Sequence, residues 1–161
     1  MKQEKLTHVD SSGNPQMVDV SQKTPTRRVA RARATVHVGQ EILEKIRDNE
    51  LMTKKGPVFQ TAIIAGITGA KKTSELIPMC HPLGLEDCRV SIKVEDDVIV
   101  IDTTAVVTAR TGVEMEALTA AATAALTIYD MCKAMSHDIV ISEIKLMEKT
   151  GGKSDFKREE K

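Results

Sequence analysis

CRVSIKVEDDVIVIDTTAVVT, Cys88–Thr108, is the segment from which the architecture can be worked out. Cys88, Val90, Ile92 and Val94 alternate with Arg89, Ser91, Lys93 and Glu95, the period of a strand with one face turned inward. Asp96-Asp97 breaks the alternation as a tight turn. Val98–Thr108 follows as a second run rich in β-branched residues, so the two segments are expected to pair as a hairpin. Upstream, Val29–Val38 alternates in the same way: Ala30, Ala32, Ala34, Val36 and Val38 share one face, Arg31, Arg33, Thr35 and His37 the other. Downstream, a last strand is expected over about Ile139–Lys149. The intervening segments are helical in pattern. A short helix over about Glu41–Asn49 turns Ile42, Leu43 and Ile46 inward. A second runs from Pro57, suited to a first helical position, to about Lys72, and its Ala65-Gly66 and Gly69-Ala70 steps predict close packing. A long alanine-rich helix covers about Gly112–Ser136. The order β, helices, β, β, α, β predicts an α+β fold of ferredoxin-like type, an antiparallel four-stranded sheet with helices packed on one face.

The chain has 161 residues and a mass of 17.6 kDa, which suits one domain over residues 1–161. Residues 1–28 are polar and expected to be irregular, with Met17–Ser21 as an ordered island. Residues 150–161 are rich in glycine and charge and expected to form a mobile tail. Lys plus Arg equals Asp plus Glu at 23 each, so no global field favours nucleic acid. The aromatic residues are Phe59, Phe156 and Tyr129, too few for a stacking row on single-stranded nucleic acid. Basic residues cluster locally at Arg27-Arg28, Arg31 and Arg33, at Lys54-Lys55 and at Lys71-Lys72. Folding could bring such clusters together on a small polyanion, although each alone reads as solvated surface charge. Cys80, Cys88 and Cys132 form no CxxC pair and fit reduced thiols. No run is long enough to span a bilayer, and the N-terminus lacks a leader's apolar core, so a cytoplasmic protein is expected.

The long helix carries its own geometric problem. Met115, Leu118, Ala122, Ala125, Tyr129 and Cys132 recur at spacings of three and four and predict the core stripe. Thr111-Gly112-Val113-Glu114 matches a capping box, which favours a structural role for Glu114, and Glu116 suits a helix N-terminus. Asp130 and Lys133 are three apart and could be a surface ion pair. Asp130 also extends a polar line through Glu116, Thr123 and Thr127. Glu116 and Asp130 lie about 21 Å apart along the axis at 1.5 Å per residue. One small ligand hardly bridges both ends of a single helix. If both ends are functional, either the ligand is long or two copies of the chain meet at the site; the two-copy arrangement is expected, with residues near Lys55 or His81 of one completing a pocket begun by Asp130 and Lys133 of the other.

The second informative stretch is Lys71–Leu85, KKTSELIPMCHPLGL. Pro78 and Pro82 push their preceding residues out of the helical region, so Met79, Cys80 and His81 are expected on a rigid extended connection beside two lysines. That arrangement suits an anionic ligand; a helix end with basic residues and a proline stop explains it equally well. No nucleotide fingerprint or Walker loop is present, and Gly151–Ser154 lacks the helix that would make it one. No residues show metal-site spacing, and His8, His37 and His137 belong to no constellation. A Cys80 nucleophile has weak support.

LTHVDSSGNPQMVDVS at Leu6–Ser21, KKGPVFQTAIIAGI at Lys54–Ile67, IPMCHPL, TGVEMEAL, ALTIYDMCKA at Ala125–Ala134 and GGKS at Gly151–Ser154 together resemble the MoaC family, the cyclic pyranopterin monophosphate synthases. The likeness covers about Leu6 to Lys157. It implies a lyase that converts a cyclised dihydro-GTP to cyclic pyranopterin monophosphate and pyrophosphate in molybdenum-cofactor synthesis. It implies Asp130 as catalytic carboxylate with Lys133 and Lys55 as cationic and acid/base companions. Met79, Cys80, His81, Met115 and Glu116 would line the substrate pocket, supported by Glu114 and Asp19. Arg28, Lys71 and Lys72 suit the triphosphate on charge alone. No tightly bound cofactor is implied, magnesium entering, if at all, with the triphosphate; the assembly implied is a hexamer built as a trimer of dimers. Ser154-Asp155 lacks a glycine usual between them in the family, so Lys153 receives no catalytic role. The alternative from another class is a ferredoxin-like regulatory module that binds a phosphometabolite without turnover.

Overall fold

The computed structural model describes residues 9–159, so the expectation for His8 and the ends of both terminal segments lie outside the described residues. The chain is α+β. Strand β1 (Thr26–His37) lies inside an antiparallel sheet ordered β4-β5-β1-β6-β7, with β4 Asp87–Glu95, β5 Val98–Ala109, β6 Val140–Thr150 and β7 Phe156–Lys157. The Cys88–Thr108 hairpin forms as the pattern predicts. Glu95 pairs with Val98 across Asp96 and Asp97, whose φ values of 44° and 66° are the left-handed pair that a two-residue hairpin turn requires. The sheet has five strands where four were expected. The fifth is contributed by the tail, where Phe156 and Lys157 pair with Lys149 and Glu148.

One face of the sheet is covered by α2 (Val58–Lys71) and α4 (Glu114–Cys132); α1 (Gln40–Leu43) and α3 (Thr73–Leu76) are single turns. Ala30, Ala32, Ala34 and Val36 of β1 are buried beneath α4, as their alternation predicts. Val94, expected inward, is 43% exposed, because β4 is the edge strand of the sheet; its partner Ile99 on β5 is fully buried. The buried line on α4 also differs from expectation. It consists of Ala117, Ala121, Ala124, Ala125, Ile128, Met131 and Cys132; Leu118 and Tyr129 are only partly buried at its flanks. The larger apolar side chains mislead here. Alanines on β1 face alanines on α4, so the two backbones approach closely along the first turns of the buried line, while Ile128 and Met131 fill its later part. Helix α2 docks on α4 by the same device. A side chain at Gly66 would put its first carbon 3.0 Å from the carbonyl oxygen of Ala120.

Two boundaries differ for local reasons. α1 ends at Leu43 rather than near Asn49, because Asp48 and Asn49 take left-handed φ in a turn closed between Arg47 and Glu50. Pro57 stands just before α2 instead of at its first position. It belongs to a small hairpin, β2 (Met52–Thr53) with β3 (Gly56–Pro57), that projects Lys54 and Lys55 at its tip. No helix among the described residues is long and apolar enough to cross a membrane.

Candidate active site

At the C-terminal end of α4 three charged side chains from two elements meet. Lys55 Nζ donates to Asp130 Oδ2 at 2.7 Å and to the Asp130 carbonyl oxygen at 3.0 Å. Lys133 Nζ lies 2.7 Å from Asp130 Oδ1. A carboxylate near a helix C-terminus is disfavoured by the aligned peptide dipoles. The two ammonium groups offset that: bonding to Lys133, then to Lys55, holds the Asp130 carboxyl down at about 2. The same pairing raises the pKa of Lys133. Each side chain is roughly half exposed, so these ion pairs add little to stability.

At the opposite end of α4 lies a cleft of about 490 Å³, walled by the Met79–His81 connection, the start of α4 and the Val18–Val20 segment. His81 Nε2 donates to the Val18 carbonyl oxygen at 2.8 Å, which leaves Nδ1 as the acceptor in the neutral ring. Glu116 faces the cleft while only 3% exposed; burial, reinforced by the charge of Glu114, raises its pKa. Burial and then Glu116 also push the Cys80 thiol up, which argues against Cys80 as a nucleophile. The capping box does not form. Val113 is the residue flanking the helix, Glu114 is its first residue, and Thr111 lines the cleft. The Glu114 carboxylate turns back over Gly112 and pairs with Lys149 at 3.1 Å. A smaller adjoining cavity of about 180 Å³ is lined by Arg28, Lys149 and Lys153. The buried Nε of Arg28 has no hydrogen-bond partner among the described residues.

The residues singled out in the sequence therefore fall into two groups. Lys55, Asp130 and Lys133 form one; Met79, Cys80, His81, Glu114, Met115 and Glu116 form the other. Asp19 lies between two cleft residues but is exposed, its carboxylate accepting from the backbone of Ser21. Lys71 and Lys72 are exposed and line neither cavity. Lys55 does not come from a second chain to reach Asp130, since one chain makes that contact. Lys23 in the cleft and Lys149 beside Glu114 carried no signal beyond charge. Among the described residues no three His, Cys, Asp or Glu are placed to hold a metal ion.

Residues 17–152 match the MoaC family. The chain is 53% identical over 158 residues to molybdenum cofactor biosynthesis protein 1 of Drosophila melanogaster, covering 96% of this chain but only 27% of that protein. It is 53% identical over 150 residues to the cyclic pyranopterin monophosphate synthase of Desulfitobacterium hafniense, covering 92% of this chain and 91% of the relative. Against the synthase of Peptoclostridium acidaminophilum the identity is 48% over 155 residues, covering 96% and 98%.

Proposed function

The chain belongs to the MoaC family, and we propose that it is a cyclic pyranopterin monophosphate synthase. It acts as a lyase of molybdenum-cofactor biosynthesis that converts the cyclised dihydro-GTP to the cyclic monophosphate and pyrophosphate. The observation that carries the catalytic assignment is the Lys55–Asp130–Lys133 cluster, a carboxylate clamped between two ammonium groups where folding has no need of it. Forming the cyclic phosphate joins a substrate hydroxyl oxygen, whose proton passes to the His81 imidazole, to the α-phosphorus. The bond to the bridging oxygen breaks, and its electron pair leaves on pyrophosphate. That step needs cations, and rebuilding the ring system needs proton transfers. Asp130, held near 2, is too weak a base for the latter and instead aims the lysines. Lys55 and Lys133 donate protons and neutralise charge. Glu116, with its raised pKa, and His81 exchange protons at the other end. Arg28, Lys149 and Lys23 hold phosphate oxygens.

The two groups sit at opposite ends of α4, and the clustered lysines stand half exposed. Both facts support a site closed by a second copy, in a homo-oligomer read as a hexamer of three dimers. The spatial order of the four long strands supports the ferredoxin-like class. No tightly bound cofactor is assigned, and magnesium arrives on the triphosphate if it takes part. Three unbridged thiols support a cytoplasmic setting. Incubation with the cyclised intermediate, followed by mass analysis, tests the function. Cyclic pyranopterin monophosphate and pyrophosphate are expected in equal amounts. Binding without either product would instead favour a regulatory module.

A further inference from the structure

Lys55 is exposed at the tip of a two-residue turn, where a lysine would ordinarily sample many positions. The structure instead fixes the hairpin from its base. Glu50 Oε1 accepts hydrogen bonds from the backbone N–H of Leu51 at 2.8 Å and of Phe59 at 2.7 Å. Its Oε2 accepts from the N–H of Gln60 at 3.1 Å. Phe59 and Gln60 lie in the first turn of α2, whose flanking residue Pro57 offers no side-chain cap. Glu50 thus supplies a carboxylate to a helix N-terminus from outside the helix. It also ties together the two ends of the excursion from Leu51 to Pro57, which Val58 N–H bonding to the Leu51 carbonyl closes at 2.9 Å. At the tip, Thr53 Oγ1 accepts from Lys55 N–H at 3.1 Å and donates to the Gly56 carbonyl at 3.2 Å. Gly56 takes the left-handed φ of 107° that lets the strand resume. Helix α2 is seated against α4 through Gly66. A chain of fixed contacts therefore runs from α4 through α2 to Glu50, into the hairpin and back to Asp130.

We propose that Glu50 is a positioning residue for the Lys55 ammonium, with Thr53 completing its hold at the tip. The inference rests on the catalytic assignment of Lys55 above. Glu50 touches no reacting group; it sets where Lys55 stands relative to Asp130.

The test is Glu50→Gln, which keeps the shape and one acceptor but turns an amide N–H against that of Gln60. Folding is checked by far-ultraviolet circular dichroism. The position of Lys55 is read by acylating surface amines and comparing Lys55 with Lys54 by mass spectrometry. Lys55 labelling should rise several-fold relative to Lys54. With the cyclised intermediate, kcat should fall about tenfold while KM stays within about twofold, as expected for a displaced catalytic group. Should Glu50→Gln fail to fold, Thr53→Val removes only the tip bonds, and Thr53→Ser should restore both readouts. Unchanged Lys55 labelling and turnover in these variants would overturn the inference. So would equal increases at Lys54 and Lys55 with kcat and KM both shifted, which would mean general loosening. Lys55→Ala is assayed alongside. Turnover surviving that change removes the catalytic role of Lys55, whereas the labelling ratio still judges its positioning.

Discussion

Asp130 is held by the side chains of Lys55 and Lys133, which makes its role testable residue by residue. Replacing it with Asn preserves the volume but cannot hold two ammonium groups. Asp130→Asn should lower turnover by about 10²-fold with an unchanged circular dichroism spectrum, because both lysines lose the group that aims them. Its carboxyl should titrate near 2 by carbon NMR, below the ordinary 3.8. Any stability it contributes is complete above pH 3.8 and lost as the pH falls through about 2. Glu116 behaves oppositely. Its raised pKa means that ionisation is harder in the folded chain, so a penalty enters as the pH rises above the ordinary 4.5 and through the folded value. Glu116→Gln should therefore melt higher than the parent at pH 7 but not at pH 4, while losing activity. An equal change in melting temperature at both pH values would show that Glu116 carries no such penalty. The Asp130–Lys133 pair was legible from spacing alone. Lys55 was legible only as part of a basic pair; its partner lies far along the chain, and the family likeness alone tied it to Asp130. The capping box at Glu114 misled because a three-residue spacing says nothing about where the chain enters the helix.

Among the elements, the strands were the most legible, since period-two alternation survives any detail of packing. The hairpin at Asp96-Asp97 and the inward alanines of β1 stand where the pattern put them. Helix faces were harder to read. In an alanine-rich helix the buried line follows the small residues, so a stripe drawn through Leu118 and Tyr129 is rotated toward the flank. The close approach of α2 to α4 makes its own prediction. Gly66→Val places branched carbons against the Ala120 carbonyl oxygen and Val90, and the oxygen cannot move without shifting α4. Such overpacking should cost about 1–3 kcal/mol in urea unfolding, although glycine is otherwise a poor helix former. A stabilised variant would mean that the two helices are less tightly seated. Because α2 carries the Lys55 hairpin at its other end, the same variant should also weaken turnover.

For the molecule as a whole, one helix separates the two halves of the proposed site by about 21 Å. The sequence posed that problem, and the structure redistributes the residues within it by assigning Lys55 to the Asp130 end. The proposed function pairs that end with the His81–Glu116 cleft of a second copy. The decisive measurement is turnover of the cyclised intermediate by mixed inactive variants after verified subunit exchange. His81→Ala mixed in equal amount with Asp130→Asn should recover about a quarter of parental activity, because half the dimers are mixed and each has one of its two sites intact. Lys55→Ala mixed with Asp130→Asn should recover none, since those two residues share a chain. Recovery in the second mixture, or none in the first, would contradict a site built from opposite ends of α4 on two copies of the chain.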